Sequence, residues 1–342
     1  MTAPLFERLA LVGVGLIGSS IARAARATGA VRSIVASARS EATRARVAEL
    51  GIVDEVAETN AAAVDGADLV IVCIPVGQCG PVAAEIAPRL APGAVVSDVG
   101  SVKGSVVRDM APHLPPHVHF VPAHPVAGTE HSGPDAGFAE LFINRWCILT
   151  PPEGTDPAAV ERLAAFWRQL GANVETMSVA HHDIVLAVTS HLPHLIAYTV
   201  VGMADDVEKL VTRSEVMKFS AGGFRDFTRI AASDPTMWRD VFLHNKDAVL
   251  ELIGQFNEDL SRLARAIRWG DGDTLFDFFT RTRALRRGIV QIGQDSAAPD
   301  FGRPHPPLEP IPPHSPLCGG RRMIPRQFRT AAARGRPGPG RA

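Results

Sequence analysis

The sequence predicts an α/β domain with a doubly wound, mostly parallel sheet, followed by an all-α domain. Three observations predict it. Short apolar runs with strand character alternate with helix-like stretches as far as about residue 178. After Val179 strand signals vanish, and apolar residues recur at helical spacing to about residue 293. The length, 342 residues, is room for two domains.

The strand-like runs are residues 9–12, 33–36, 69–74, 95–98, 119–121 and 147–150, with a last strand near 173–177. Helical stretches such as 19–28 and 40–50 lie between most of them. Buried runs joined by helical crossovers mean a parallel sheet covered on both faces. In the second half, residues 179–203 read as one long apolar helix, kinked at Pro193. Phe242, Val249, Ile253, Phe256, Leu260, Leu263 and Ile267 mark a second helical stretch. Leu275, Phe278, Phe279, Thr282, Leu285 and Ile289 mark a third. Too little chain surrounds these helices to cover them, which predicts a homodimer.

Composition is globular, with 46% apolar and 21% charged residues. A net charge of −1 gives no overall sign of a nucleic-acid or anionic-membrane partner. That balance hides a split. From Pro299 onward there are eight arginines, two acids and 11 of the 27 prolines. The domains are therefore expected at 1–178 and 179–294, with 295–342 a disordered basic tail.

The four cysteines, at 73, 79, 147 and 318, have no CxxC spacing, which argues against a zinc ribbon, a redox pair or a disulfide framework. The apolar run from Leu9 resembles a secretion signal, but Gly13, Gly15 and Gly18 break it. It reads instead as a strand entering a helix in a cytoplasmic protein. No stretch of about 18 apolar residues lacks charges or helix breakers, so no membrane span is expected.

Gly13, Gly15 and Gly18 form a GxGxxG between the first strand and the first helix, the setting that marks a dinucleotide-binding Rossmann domain. The first glycine allows the turn, the second lets the backbone approach a pyrophosphate, and the third lets helix and strand pack closely. Free N–H groups of the helix, at Leu16 and Ile17, then face the phosphates. Ile74 and Pro75, ending the third main strand, are further nucleotide candidates. An NAD site usually ends its second strand in an acid that binds the ribose 2′-hydroxyl. Here that strand ends in Ser37, Arg39 and Ser40, which could hold a 2′-phosphate. NADP is favoured, with NAD possible.

Three polar patches follow where an open α/β sheet binds ligands. The first runs from Asp98 through Ser101 to Lys103. The second runs from His124 to Gly133 and includes Glu130. The third lies in the helical half: Ser190, His191 and His194, then Gly222 to Arg229, then Ser233 to Trp238. Ser101 also stands where an N-cap for the following helix would. His191 and His194, three apart on a helix, share a face. That spacing suits a metal, but no third ligand is evident, and none is expected.

In this order along the chain, over about residues 9–290, the patches and the loop resemble the prephenate/arogenate dehydrogenase family of tyrosine biosynthesis. The resemblance implies oxidative decarboxylation of a small cyclohexadienol. His124 would accept the hydroxyl proton, and Ser101 would hydrogen-bond that hydroxyl or the nicotinamide. Arg229 would hold a substrate carboxylate, with Arg225 its rival and Asp226 orienting its neighbours. His191 and His194 would lie near the substrate side chain, with Glu130 reaching in from the other domain. Trp238 would line the pocket or the core. Lys103 and Lys218 receive no role. Two rivals are a β-hydroxyacid dehydrogenase or imine reductase of the same plan, with a donor in the helical domain, and a nucleotide sensor without catalysis.

Overall fold

The computed structural model describes residues 3–129, 131–206, 215 and 218–291. Strands β1 (Phe6–Val12), β2 (Val31–Ser37), β3 (Glu55–Ala57), β4 (Leu69–Val72), β5 (Val95–Asp98) and β6 (His119–Phe120) form one sheet in the order β3-β2-β1-β4-β5-β6. All its pairings are parallel. The crossovers are α1 (Leu16–Thr28), α2 (Glu41–Leu50), α3 (Asn60–Val64), α4 (Cys79–Ile86) and α5 (Lys103–Met110).

Alternate strand residues serve two cores. Leu9 and Leu11 pack into one with Ile21, Phe142, Phe166 and Trp167. Ala10 and Val12 pack into the other with Val70, Val72, Ile86 and Met110. Both faces of the sheet are thus dry, as its near-continuous apolar strands require. The chain reverses its direction of travel between β1 and β4, and that switch point opens a crevice at the carboxyl edge. Pairing in register brings Ser37, Val12, Val72 and Asp98 to that edge in one row.

The last strands do not extend this sheet, which corrects the single sheet expected. β7 (Ala123–Pro125), β8 (Trp146–Leu149) and β9 (Asn173–Thr176) form a second sheet, β7 antiparallel to β8 and β8 parallel to β9. Val121 still donates to Val96, but Pro122 has no N–H to continue the ladder. Its carbonyl accepts from Thr150 instead, and the chain peels away to pair with β8. Neither β3 nor β7 shows in the sequence, because three residues are too few for a period.

α6 (Pro157–Gln169) covers one face, and the helical half begins at α7 (Val179–Leu186), capped by Ser178. A π turn (Ala187–His191) joins α7 to α8 (Leu192–Asp206). This is where the kink was expected: Pro193 offers no N–H, and the widened turn absorbs the missing bond. The run Val179–Ala204 has a mean hydropathy of 1.6 and the length to cross a membrane, but Asp183 and Pro193 interrupt it. The helix passes through Pro193 rather than stopping there, and it carries the buried imidazoles of His182 and His191 into the protein.

Then come α9 (Gly222–Thr228), α10 (Pro235–His244), α11 (Lys246–Trp269) and α12 (Gly272–Gln291). The stretch from Phe242 to Ile267 is two helices, because Asn245 breaks it and turns its side chain inward to His191. Leu260, Ile267, Phe276 and Phe279 are each more than half exposed, so the described residues leave that apolar surface uncovered. The expected tail lies outside the described residues.

Candidate active site

The glycine loop is shaped around an empty volume. A Cβ on Gly13, where φ is +96°, would stand 2.6 Å from the Cys73 carbonyl oxygen and 2.7 Å from Ile74. One on Gly18 would stand 2.4 Å from the Gly13 carbonyl oxygen. At Gly15 nothing lies within 4 Å of such an atom. Gly15 also caps α1 with no side chain, so the helix start offers N–H groups to an anion at Leu16 and Ile17. Ile74 packs beside this turn, and Pro75 is exposed next to it. A dinucleotide pyrophosphate fits this cradle.

At the tip of β2 the three expected phosphate contacts separate. Ser37 is buried and donates its hydroxyl to Asn60 at 2.8 Å, and Ser40 caps α2 by accepting from the Thr43 N–H. Both hydroxyls are engaged by the fold. Arg39 is exposed. Arg44, absent from the sequence reading, donates to the carbonyls of Ala38 and Arg39, which places a second guanidinium at this loop.

β7 carries His124, which is 6% exposed. Its Nδ1 lies 2.9 Å from Nε2 of His182, and His182 Nδ1 lies 2.8 Å from Asp183 Oδ1. Asp183 also accepts from the main-chain N–H groups of Lys103 and Gly104, both at 2.8 Å. Burial pushes the Asp183 carboxyl up, but hydrogen bonds from His182 and from those two N–H groups outweigh it and hold it below the usual range. An ionised Asp183 must receive the His182 Nδ1 proton. His182 Nε2 is then an acceptor, so His124 donates from Nδ1 and keeps a lone pair on Nε2. Burial, then the neighbouring His182, Lys103 and His191, hold His124 well below the ordinary imidazole value. It is neutral at pH 7 and equipped to take a proton at Nε2.

The same contact corrects the capping expectation at Ser101. The N-cap position of α5 is Val102, with no side-chain bond, and Asp183 from the helical half satisfies the helix start instead. Ser101 is half-buried, and its main chain neighbours His191.

His191 is fully buried, and burial lowers its pKa to about 4. Its Nδ1 faces the Asn245 amide at 3.1 Å, and its Nε2 lacks a well-aligned partner, although the Ser101 main chain acts on the ring as a hydrogen-bond partner. His194 stacks on Trp238 at 3.6 Å between ring centroids, and His191 meets the same indole edge-on at 6.1 Å. Trp238 packs with Val102 and Val241 across the two halves, and its Nε1 also lacks a partner. With the His191 ring engaged by the Ser101 main chain, the Trp238 Nε1 is the buried donor left for an acceptor oxygen of a ligand. Arg229 stands close enough to His194 to lower its pKa further, after burial. Asp226 pairs with Arg225 at 2.9 Å on an exposed face of α9. Glu130 lies outside the described residues.

Models of two families match the chain: "Prephenate dehydrogenase, nucleotide-binding domain" over residues 21–176 and "Prephenate dehydrogenase, dimerization domain" over 178–281. The chain belongs to the prephenate dehydrogenase family. This family member is 45% identical to a cyclohexadienyl dehydrogenase of Zymomonas mobilis over 83% of its own length and 97% of that protein's. It is 36% identical to a prephenate dehydrogenase of Bacillus subtilis, covering 86% of itself and 79% of that chain. A crystal structure of the Aquifex aeolicus prephenate dehydrogenase with hydroxyphenyl propionate and NAD+ superposes with a TM-score of 0.76 at 34% identity, over 83% of this chain and 98% of that one. These relatives are dehydrogenases, so this family member is an oxidoreductase with a nucleotide-binding half.

The sequence reading of the dehydrogenase named His124, Ser101, His191, His194 and Trp238, and the fold brings them to one region. It missed His182, Asp183 and Asn245. The signal was present in part: His181, His182 and Asp183 interrupt an otherwise apolar helix start.

Proposed function

We propose that this enzyme oxidatively decarboxylates prephenate and/or arogenate, with hydride transfer to NAD(P)+, giving 4-hydroxyphenylpyruvate or tyrosine in the cytoplasm. The observation that carries the proposal is the chain of hydrogen bonds from Asp183 through His182 to His124. It leaves His124 Nε2 as a proton acceptor between the nucleotide cradle and the helical half.

His124 takes the substrate hydroxyl proton as the ring carbon loses hydride. The bond to the ring carboxylate then breaks, CO2 departs, and its electron pair makes the ring aromatic. The phenolic oxygen recovers the proton that His124 held. His182 and Asp183 keep the imidazole in the required tautomer, and Asp183 stabilises the cation that forms transiently. Ser101 hydrogen-bonds the reacting hydroxyl or the nicotinamide. Arg229 holds a substrate carboxylate as a two-point fork. His191, His194 and Glu130 contact the substrate side chain, and Asp226 steadies Arg225. Leu16, Ile17, Ile74 and Pro75 join the three loop glycines in holding the nucleotide. Arg39, assisted by Arg44, makes NADP at least as good a nucleotide as NAD.

The nucleotide half spans 1–178 and the substrate half 179–294. The exposed apolar surface of α11 and α12 pairs two copies into a homodimer. The test is turnover with prephenate and with arogenate, each with NAD+ and NADP+. Activity with neither substrate overturns the proposal.

A further inference from the structure

Asp98 and Lys103 are both fully buried and joined as an ion pair between Oδ2 and Nζ. Burying such a pair is costly, and apolar residues of similar volume generally stabilise a core as well or better. The pair therefore calls for a task that apolar side chains cannot perform. Its remaining hydrogen bonds name one. Lys103 Nζ donates to the Ala123 carbonyl at 2.7 Å, and Asp98 Oδ1 accepts the Ala123 N–H at 3.3 Å. Asp98 Oδ2 also accepts the Gly100 N–H at 2.7 Å. One ion pair thus grips both main-chain polar groups of the residue before His124 and one main-chain group of the residue before Ser101.

β8 holds β7 through the Pro122 carbonyl and the Val126 N–H, and the ion pair takes the Ala123 N–H and carbonyl. Pro122 and Pro125 flank Ala123 and His124 and offer no N–H. The pair also bridges two sheets, since Asp98 ends β5 of the large sheet and Ala123 opens β7 of the small one. We propose that Asp98 and Lys103 are positioning residues, a charged clamp that sets His124 and Ser101 relative to the nucleotide edge of the sheet. The proposal rests on the assignment of His124 as proton acceptor. Their hydrogen bonds go to each other and to the main chain of Ala123 and Gly100, so they act through His124 and Ser101.

The clamp also adds to the field at His124. Facing that imidazole are His182 from α7, His191 from the π turn and Lys103 from α5, with Asp183 and Asp98 behind them. Lys103 disfavours a proton on His124. Removing the lysine alone leaves the Asp98 carboxylate in place and should raise the His124 pKa.

The test compares the holoenzyme with Lys103→Met, the neutral double variant Asp98→Asn/Lys103→Met, and His124→Asn, using prephenate and NAD+. In Lys103→Met the acid limb of kcat/KM is expected to move up by about half a pH unit or more. The plateau kcat should fall about tenfold or more, with KM and NAD+ affinity within about threefold. In the double variant the acid limb should return toward that of the parent, while kcat stays low because the Ala123 carbonyl has lost its donor. A folded double variant with parental kcat overturns the clamp, as does an unmoved acid limb in Lys103→Met. A double variant that fails to fold also overturns it, because the pair would then serve stability instead. If His124→Asn keeps parental turnover, the acceptor assignment itself has failed, a result distinct from failure of the clamp alone.

Discussion

His182 Nε2 stands 2.9 Å from His124 Nδ1, although 58 positions separate the two in sequence and they belong to different halves of the chain. The contact makes the tautomer of His124 depend on α7. An Asp183 carboxylate pinned by the start of α5 fixes His182, and His182 fixes His124. The hydrogen bonding of His124 is thereby coupled to docking of the helical half.

Turnover should rise with pH and level off before neutrality. His124 must be neutral to accept a proton, and its pKa lies well below 6.5, so the acid limb of kcat/KM falls below that value. His124→Asn keeps a hydrogen-bonding side chain but cannot take a proton, and should lower kcat by about 10²-fold or more. An unchanged pH profile in this variant rules out His124 as the base. His182→Asn should be milder, since it removes the tautomer lock and leaves the acceptor.

Acid should destabilise the fold over a definite window. His191 titrates near 4 when folded and near 6.5 when unfolded, so between those values the unfolded chain binds the extra proton. Its contribution is complete above about pH 6.5 and is lost as pH falls toward 4, on the order of 3 kcal/mol in all. Plots of Tm against pH should be shallower over this window in His191→Gln than in the parent. Equal slopes would falsify the assignment.

Arg229→Ala should raise substrate KM strongly and leave nucleotide affinity near that of the parent. Arg229 is exposed beside His194, so its charge is desolvated only when substrate covers it, where loss of one partner typically costs about 2–5 kcal/mol. Arg225→Ala, whose guanidinium pairs with Asp226 on an exposed surface, should change KM by no more than about twofold. The opposite pattern would exchange the two roles.

For the nucleotide, kcat/KM with NADP+ should at least equal that with NAD+. Arg39→Ala should lower the NADP+ value selectively, whereas Ser37→Ala should leave the ratio unchanged because its hydroxyl is held by Asn60. A tenfold preference for NAD+ in the parent would sink the 2′-phosphate assignment.

Placing a charge on the uncovered apolar surface should split the dimer. Phe279 is 54% exposed on α12, so Phe279→Asp should unfold little of this chain. Light scattering should nonetheless show a monomer at concentrations where the parent is dimeric. A dimeric Phe279→Asp would place the interface elsewhere.

The α/β half, its glycine loop and the run of helices after it were legible in the amino-acid chain alone. Those features rest on local rules: strands buried on both faces are continuously apolar, a turn at φ +96° selects glycine at Gly13, and helix faces repeat every 3.6 residues. His124 and Arg229 stood out as candidates because their neighbours in the chain resemble a family's motif. The three-dimensional fold set the split of the sheet at Pro122, the engagement of the Ser37 hydroxyl by Asn60, and the replacement of Ser101 by Asp183 at the start of α5. It alone decided the partners of His124 and the burial of Asp98 with Lys103. Each of these is a contact between residues far apart in the chain. Which polar groups meet there depends on how two halves dock and on which buried donors and acceptors must be paired, and no local period encodes that.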